Sequence, residues 1–329
     1  MWFIFALVCT LGWGLADLFY KKGTDENDRY SHLKIAVWVG LVMGAAAFIL
    51  MFFTEEKMTP GTLLVNAVRY APASLCYIIS MVIGYAGLRY LELSIVSPVQ
   101  NASGAFSTVV MLVWFILAGQ VTDIGDEFSA LEMTGTVFIV AGVIALGIVE
   151  QRLSRNAEGT DEARKYRFGA LALLFPILYC VFDTIGTAAD GIILNEETGL
   201  GLSEIDVLIL YGLTFFLAGI IAWVVLRVKT GKFYNPFAKT EWPKACAALA
   251  EEFGQVFYVY AMAEKPMLAA PMVASYCIIS CILSRILLKE KLKYTQYICI
   301  AAVIIGIVML GISEGLGAAE EAAEVALLN

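Results

Sequence analysis

Two adjacent acids, Glu251 and Glu252, interrupt the apolar run CAALAEEFGQVFYVYAMA at 246–263. A second run, LYCVFDTIGTAADG at 178–191, holds Asp183 and, two turns on, Asp190. Asp17 lies late in the N-terminal run, four residues before Lys21. A carboxylate in hydrocarbon costs several kcal/mol unless it is paired, protonated or facing water. Each of these acids is therefore a candidate for holding an ion, a proton or a charged substrate.

Spacing sorts them. With a helix start near Lys244, Glu252 lies about 12 Å in, close to a bilayer midplane. A start at Glu251 would instead leave both acids at the interface. Glu251, Gln255 and Tyr258 recur at i, i+4 and i+7 and share one helix face. Asp183 falls about 21 Å from the start of its run, with Pro176 upstream able to kink the helix. Asp190 follows on nearly the same face and is expected at the outer interface, where water would solvate it. For Asp17 the spacing to Lys21 predicts an ion pair at the inner end of its helix; proton coupling is the alternative. Arg69 is expected to snorkel or to pair with an acid.

Aromatic residues accompany the acids: Trp13, Tyr77, Tyr85, Tyr179, Phe253 and Tyr258. A quaternary ammonium cannot donate a conventional hydrogen bond, so aromatic faces with a remote negative charge are the physical way to hold it. Gln100 and Asn101, just after Pro98, add polar groups for helix bonding or substrate. The candidate substrate-binding set is Glu252, Glu251, Asp183, Trp13, Tyr179, Tyr77, Gln255, Tyr258, Gln100 and Asn101. The candidate proton-coupling set is Glu252, Asp183 and Asp17.

The elements that must position these groups are membrane spans. Of 329 residues, 60% are hydrophobic and 16% charged, against about 45–50% and 25% in a soluble domain. Ten apolar runs recur near 2–20, 33–53, 64–87, 94–118, 130–149, 168–189, 206–226, 244–263, 268–288 and 294–313. Each is long enough to cross about 30 Å of hydrocarbon as a helix, and irregular backbone facing lipid at that depth is not viable. No basic leader with a cleavage signal opens the chain, so the first run reads as retained.

Except for Lys57, Arg69 and Lys265, all 22 Lys and Arg residues follow odd-numbered runs or open the next one. The positive-inside rule places those segments in the cytoplasm and both termini outside the cytoplasm of a cell membrane. A reporter at the C-terminus active only in the cytoplasm would refute this topology. The basic linker EQRLSRNAEGTDEARKYR at 150–167 divides five runs from five. Because five is odd, homologous halves would lie inverted, an arrangement common in carriers. Trp13–Asp17 matches Tyr179–Asp183 in spacing, Pro98 matches Pro271, and TGTVFIVAGVIALG (134–147) is similar to YICIAAVIIGIVMLG (297–311). The expected fold is an all-α membrane protein of ten transmembrane helices in two inverted five-helix repeats. The units are 1–149, the linker 150–167, 168–314 and an acidic tail at 315–329, read as a short disordered or amphipathic end.

With its early Trp13–Gly14 pair, YLELSIVSP before the fourth run and LLKEKL (287–292) before the last, the chain resembles the drug/metabolite transporter superfamily, in particular its EamA-type members, over residues 1–313. That resemblance implies a secondary carrier working by alternating access, its central cavity lined by both halves. Some members take up choline-like substrates. Acids in the sixth and eighth helices look similar to that branch, and Asp183 and Glu251/Glu252 occupy those helices here. Outside termini depart from the better-known exporters and favour uptake.

Other function classes lack their residues. The sequence has no phosphate loop, no nucleotide fingerprint and no Ser/His/Asp set, and its single histidine, His32, lies at the edge of a run. ATP hydrolysis would have to come from a partner. Seven scattered cysteines form no CxxC pair and read as small hydrophobes, with neither metal site nor disulfide framework. The reading is a carrier with no cofactor and no nucleic-acid partner. Its partners are a small-molecule substrate, the bilayer and protons, and it works as a monomer or homodimer. The cargo is a small organic cation or, as the alternative, a neutral or zwitterionic metabolite moved with protons. A channel, receptor or scaffold subunit is a third reading, disfavoured by the symmetry between halves.

Overall fold

The computed structural model describes residues 1–54, 58–157, 172–195, 197, 199–289 and 292–328. Much of the 150–167 linker, the first residues of the run read at 168–189, and Lys57, Glu196 and Lys291 lie outside them. The described chain is helical and contains no strand. In order the helices are α1 (Trp2–Gly23), α2 (Ser31–Phe53), α3 (Pro60–Gly87), α4 (Leu93–Asn101), α5 (Ser103–Leu117), α6 (Ile124–Glu127), α7 (Ala130–Ala157) and α8 (Leu174–Ile193). There follow α9 (Glu204–Thr230), α10 (Trp242–Glu264), α11 (Pro266–Ala274), α12 (Tyr276–Leu283) and α13 (Tyr294–Leu328).

Among the described residues, nine spans are long and apolar enough to cross a membrane, α4–α5 and α11–α12 each counting as one. The protein is a multi-pass, all-helical membrane protein. The 23-residue α10 has the length to span, about 34 Å, but Lys244, Glu251, Glu252 and Glu264 lower its apolar character. It begins at Trp242, not at Glu251, so both acids lie near its centre. The last helix runs through Leu328, well past the 313 boundary read from hydropathy.

Local chemistry accounts for the helix ends. Thr59 accepts the N–H of Thr62 at 3.2 Å to cap α3. Ser203 and Asp206 form a reciprocal capping box on α9, which ends at Gly231 with φ 68°. In α8, Pro176 falls in the first turn, where its missing N–H breaks no helical bond. Pro176 therefore breaks no bond within α8, and Asp183 lies at the midpoint of that helix, about 14 Å from its start.

The runs at 94–118 and 268–288, read as single helices, are each broken in two, at Ala102 and Ser275. Each break follows a proline by four residues, Pro98 or Pro271, which lies inside the first half of the span. Pro98 leaves the Ser94 carbonyl without its helical donor, and the Cys281 thiol lies 3.9 Å from it. Pro271 does the same to Met267, whose carbonyl accepts from Thr108 Oγ1 at 3.3 Å. Each freed carbonyl is thus met by a side chain from the other broken helix.

Other contacts recur in the same reciprocal way. A Cβ on Gly40 (α2) would lie 2.6 Å from the Phe215 carbonyl of α9, and one on Gly212 (α9) 2.5 Å from the Met43 carbonyl of α2. Gly135 (α7) and Gly306 (α13) face each other similarly. Small residues let these backbones approach where water offers no driving force. The remaining two close pairings, α1 with α10 and α3 with α8, enclose the centre.

Polar contacts gather at the two ends of the bundle. At one, the Met1 amino group meets Glu264 at 2.7 Å and Glu314 at 3.2 Å, and Lys265 meets Glu132 at 3.4 Å. At the other, Lys34 pairs with Asp28 and Lys244 with Glu241, both at 2.7 Å. Partial burial works to raise the pKa of Asp28, but the Lys34 ammonium and the Tyr30 N–H outweigh it and hold the carboxyl below its ordinary value.

Candidate functional site

Where α1, α3, α8 and α10 meet the two broken spans and α9, they leave a cavity of about 50 Å³. That is room for roughly three to five waters, at about 10–15 Å³ each on this measure. Asp17, Asp183 and Glu251 line it with a tryptophan and seven tyrosines, and its lining contains no Lys, Arg or His.

The three acids are held differently. Asp17 accepts from Ser97 Oγ at 2.6 Å and Ser280 Oγ at 2.7 Å, one serine from each broken span. The ion pair expected between Asp17 and Lys21 does not form. Lys21 reaches instead to the Leu88 and Leu91 carbonyls at 2.7 and 2.9 Å, at and just past the C-terminus of α3, where carbonyls favour a cation. Asp183 accepts from Ser103 Oγ at 2.6 Å. The Glu251 carboxylate takes no hydrogen bond from any described residue, while its backbone carbonyl accepts from Trp13 Nε1 at 3.2 Å. Of the three, Glu251 keeps its whole acceptor capacity for something in the cavity.

Aromatic rings make up most of the remaining wall. Trp13 stands 5.0 Å from the Tyr258 ring and 5.7 Å, edge-on, from Tyr276. Tyr77 meets Tyr211 at 5.7 Å, and Tyr20 meets Tyr85 at 4.7 Å. Two glycines let the key rings seat: any Cβ on Gly254 would overlap Trp13, and one on Gly84 would come 2.7 Å from Tyr179. The hydroxyls of Tyr77 and Tyr258 bond to each other, and Tyr77 donates to Thr187 at 3.1 Å. Gln100 Nε2 is buried without a partner, whereas Asn101 spends its amide on the Ser97 carbonyl at 2.8 Å.

Of the residues singled out by sequence, the cavity brings together Glu251, Asp183, Asp17, Trp13, Tyr179, Tyr77, Tyr85, Tyr258, Gln100 and Asn101. It leaves out Glu252, half-buried on another face of α10, and Gln255, which is buried outside the lining. Phe253 faces outward, 52% exposed. Asp190, expected at a solvated interface, is fully buried at 0% exposure. Buried packing from α3 and α10, not water, surrounds it.

The sequence reading missed Tyr20, Tyr211, Tyr276, Ser103 and Thr187. Tyr20 looked interfacial beside Lys21 and Lys22, and Tyr211 lies in a uniformly apolar helix. Ser103 and Tyr276 carried a usable signal, since each follows a proline by five residues and opens the second half of a broken span.

Chemically, the site presents negative charge, π-faces and hydroxyls, with no built nucleophile–base pair. No cluster of His, Cys, Asp and Glu among the described residues is arranged to hold a metal ion.

Comparison with known proteins gives two findings. The EamA-like transporter family matches residues 198–312, a stretch that includes Glu251, Tyr258 and the second broken span. A solved structure titled "Crystal structure of protein" aligns over 94% of this chain and 96% of its own, with a TM-score of 0.59 and 13% identity, and so shares the fold. No curated protein matches.

Proposed function

We propose that this protein is a secondary transporter of a small organic cation, a quaternary or simple amine, moved by alternating access between two inverted five-helix halves. One observation carries the reading: three carboxylates and eight aromatic rings line a single central cavity that contains no basic side chain. An amine cation would balance the carboxylates, with Glu251 as its direct counter-ion and Trp13, Tyr258 and Tyr276 as its π-surface. The match of residues 198–312 to the EamA-like transporter family supports a carrier of small molecules. The reciprocal carbonyl contacts at Pro98 and Pro271 support the inverted halves, as does the close packing of both α1 with α10 and α3 with α8. The basic segments at one end of the bundle favour both termini outside the cytoplasm, and with them uptake.

Binding to the purified protein tests the cargo. Thermal shifts are measured with quaternary amines, primary amines, amino acids, sugars and nucleosides at mildly acidic and neutral pH. A ligand that binds only the folded state stabilises it by RT ln(1 + [L]/Kd), so millimolar ligand reveals even a weak site. Stabilisation by quaternary amines, weaker at acid pH, is the expected result. Stabilisation by a neutral metabolite alone overturns the cation reading and turns the cavity acids into proton-coupling groups. The cavity amide of Gln100, buried and unbonded, is the feature that would favour that second cargo.

A further inference from the structure

Beyond the cavity, toward the end of the bundle where α8 finishes, lies a second acidic position that the cation reading does not use. Asp190 is fully buried, and neither of its carboxylate oxygens completes a hydrogen bond with a described residue. The Tyr70 hydroxyl, also fully buried, is likewise without a partner. The phenols of Tyr70, Tyr77 and Tyr258 face the carboxylate, although none closes a bond of acceptable length and angle.

A buried carboxylate must be neutralised by a cation or by a proton. The groups around Asp190 supply no fixed positive charge. Its own helix offers Asp183, α3 offers Tyr70 and Tyr77, α10 offers Tyr258, and α9 offers Tyr211. On the remaining side, Met111 of α5 and Pro266 of α11 pack against the adjoining Gly191. Arg69 precedes Tyr70 but is exposed on the outer side of α3, and Lys265 beside Pro266 is engaged with Glu132 at 3.4 Å. Asp190 does not line the central cavity, and no group of three or more His, Cys, Asp and Glu among the described residues gathers there to hold a metal ion.

We infer that Asp190 is an exchangeable-proton site, separate from the central cavity and joined to it by the hydroxyls of Tyr77, Tyr258 and Thr187. Tyr77, Tyr258 and Thr187 line the cavity and are already bonded in series. In the loaded state the Asp190 carboxyl carries its proton on an oxygen turned to a phenol. On discharge that O–H bond breaks and the phenol oxygen takes the proton. The phenol gives its own proton to the next hydroxyl, and Thr187 passes one into the cavity. The hydroxyls end unchanged, Asp190 ends as a carboxylate, and the charge left behind is balanced by a cation in the cavity. This exchange rests on the cation reading above; the site itself does not.

The test adds tetramethylammonium to the purified protein in lightly buffered solution containing a pH-sensitive dye, with a parallel thermal shift to report binding. The expected result is binding with proton release in the wild type, and binding without release in Asp190→Asn. Equal release from Asp190→Asn overturns the inference and assigns the proton to a cavity acid. Binding with no release from the wild type also overturns it, while leaving the cation reading standing. If tetramethylammonium gives no thermal shift, the quaternary-amine cargo fails and infrared titration decides the site alone. A protonated-carboxyl band present in the wild type and missing in Asp190→Asn supports it, and identical bands overturn it. Should Asp190→Asn fail to fold, Tyr70→Phe removes one facing phenol. The pH at which the carboxyl band disappears should then move, and an unmoved band overturns the assignment.

Discussion

Glu251 differs from the other two cavity acids in what already holds it. Two serine hydroxyls engage Asp17 and one engages Asp183, whereas the Glu251 carboxylate accepts nothing from the described residues. A ligand cation therefore displaces no existing bond at Glu251. Two unit charges about 4 Å apart interact by about 4 kcal/mol at an effective dielectric of about 20, and part of that is offset by desolvating the pair. Glu251→Gln should weaken quaternary-amine binding by about tenfold to a hundredfold, or about 1.4–2.8 kcal/mol. Trp13→Leu removes the best π-face and should cost about 0.5–2 kcal/mol of the same affinity. Isothermal titration with tetramethylammonium measures both. Undiminished affinity in Glu251→Gln would mean the cavity does not use this acid as its counter-ion. Glu252 serves as the control, since it lies on another face of α10, and Glu252→Gln should change affinity by less than either. Residue types alone could not rank these neighbours. Both are acids in one apolar run, and only the rotation of α10 against α1, set by Gly254 beneath Trp13, turns Glu251 inward.

Helix positions were legible from hydropathy because each span must bury or wet its surface over the same thickness of hydrocarbon. Thus α1, α2 and α9 fall close to the runs read from the sequence. The breaks at Ala102 and Ser275 were harder to foresee. Pro98 and Pro271 are visible, but a proline is tolerated inside a membrane helix only where something else satisfies the freed carbonyl. Here that something is Cys281 and Thr108, each from the opposite broken span. Asp190 was misjudged for the same reason, as the phenols that cover it come from α3 and α10. Between α2 and α9 the packing depends on missing side chains. Gly40→Leu would force a side chain into a space where even a Cβ stands 2.6 Å from the Phe215 carbonyl. Overfilling of this kind costs about 1–3 kcal/mol, occasionally more. The melting temperature in detergent should fall accordingly. Gly317→Leu, where nothing lies within 4 Å, should leave it unchanged. Equal melting of the two variants would show that this helix contact contributes little.

At the scale of the whole molecule, the cavity is small, and the proposed carrier cycle requires it to open to each side in turn. Two close pairings flank it, α1 with α10 and α3 with α8, and at the basic end Gly23 meets Lys244 and Gly87 meets Phe175. Near that end a Cβ on Gly87 would come 3.0 Å from the Phe175 Cβ, so a shift of about 0.5–1 Å between the helices reaches the roughly 3.5–4.5 Å of a disulfide-bonded pair. A protein carrying Gly87→Cys and Phe175→Cys should form this bridge on oxidation and be unable to part α3 from α8. Cys76 and Cys246, the two native cysteines that are not buried, are replaced by serine to keep the chemistry specific. In proteoliposomes, oxidation should abolish tetramethylammonium flux and a reductant should restore it. Binding measured by thermal shift should survive both treatments, because none of the four substituted positions lines the cavity. A ligand that still binds while flux stops is the signature of a blocked conformational step, since affinity and turnover respond to different states. Flux that continues through the oxidised protein would instead mean that this end opens without separating α3 from α8, and that the passage runs along α1 and α10.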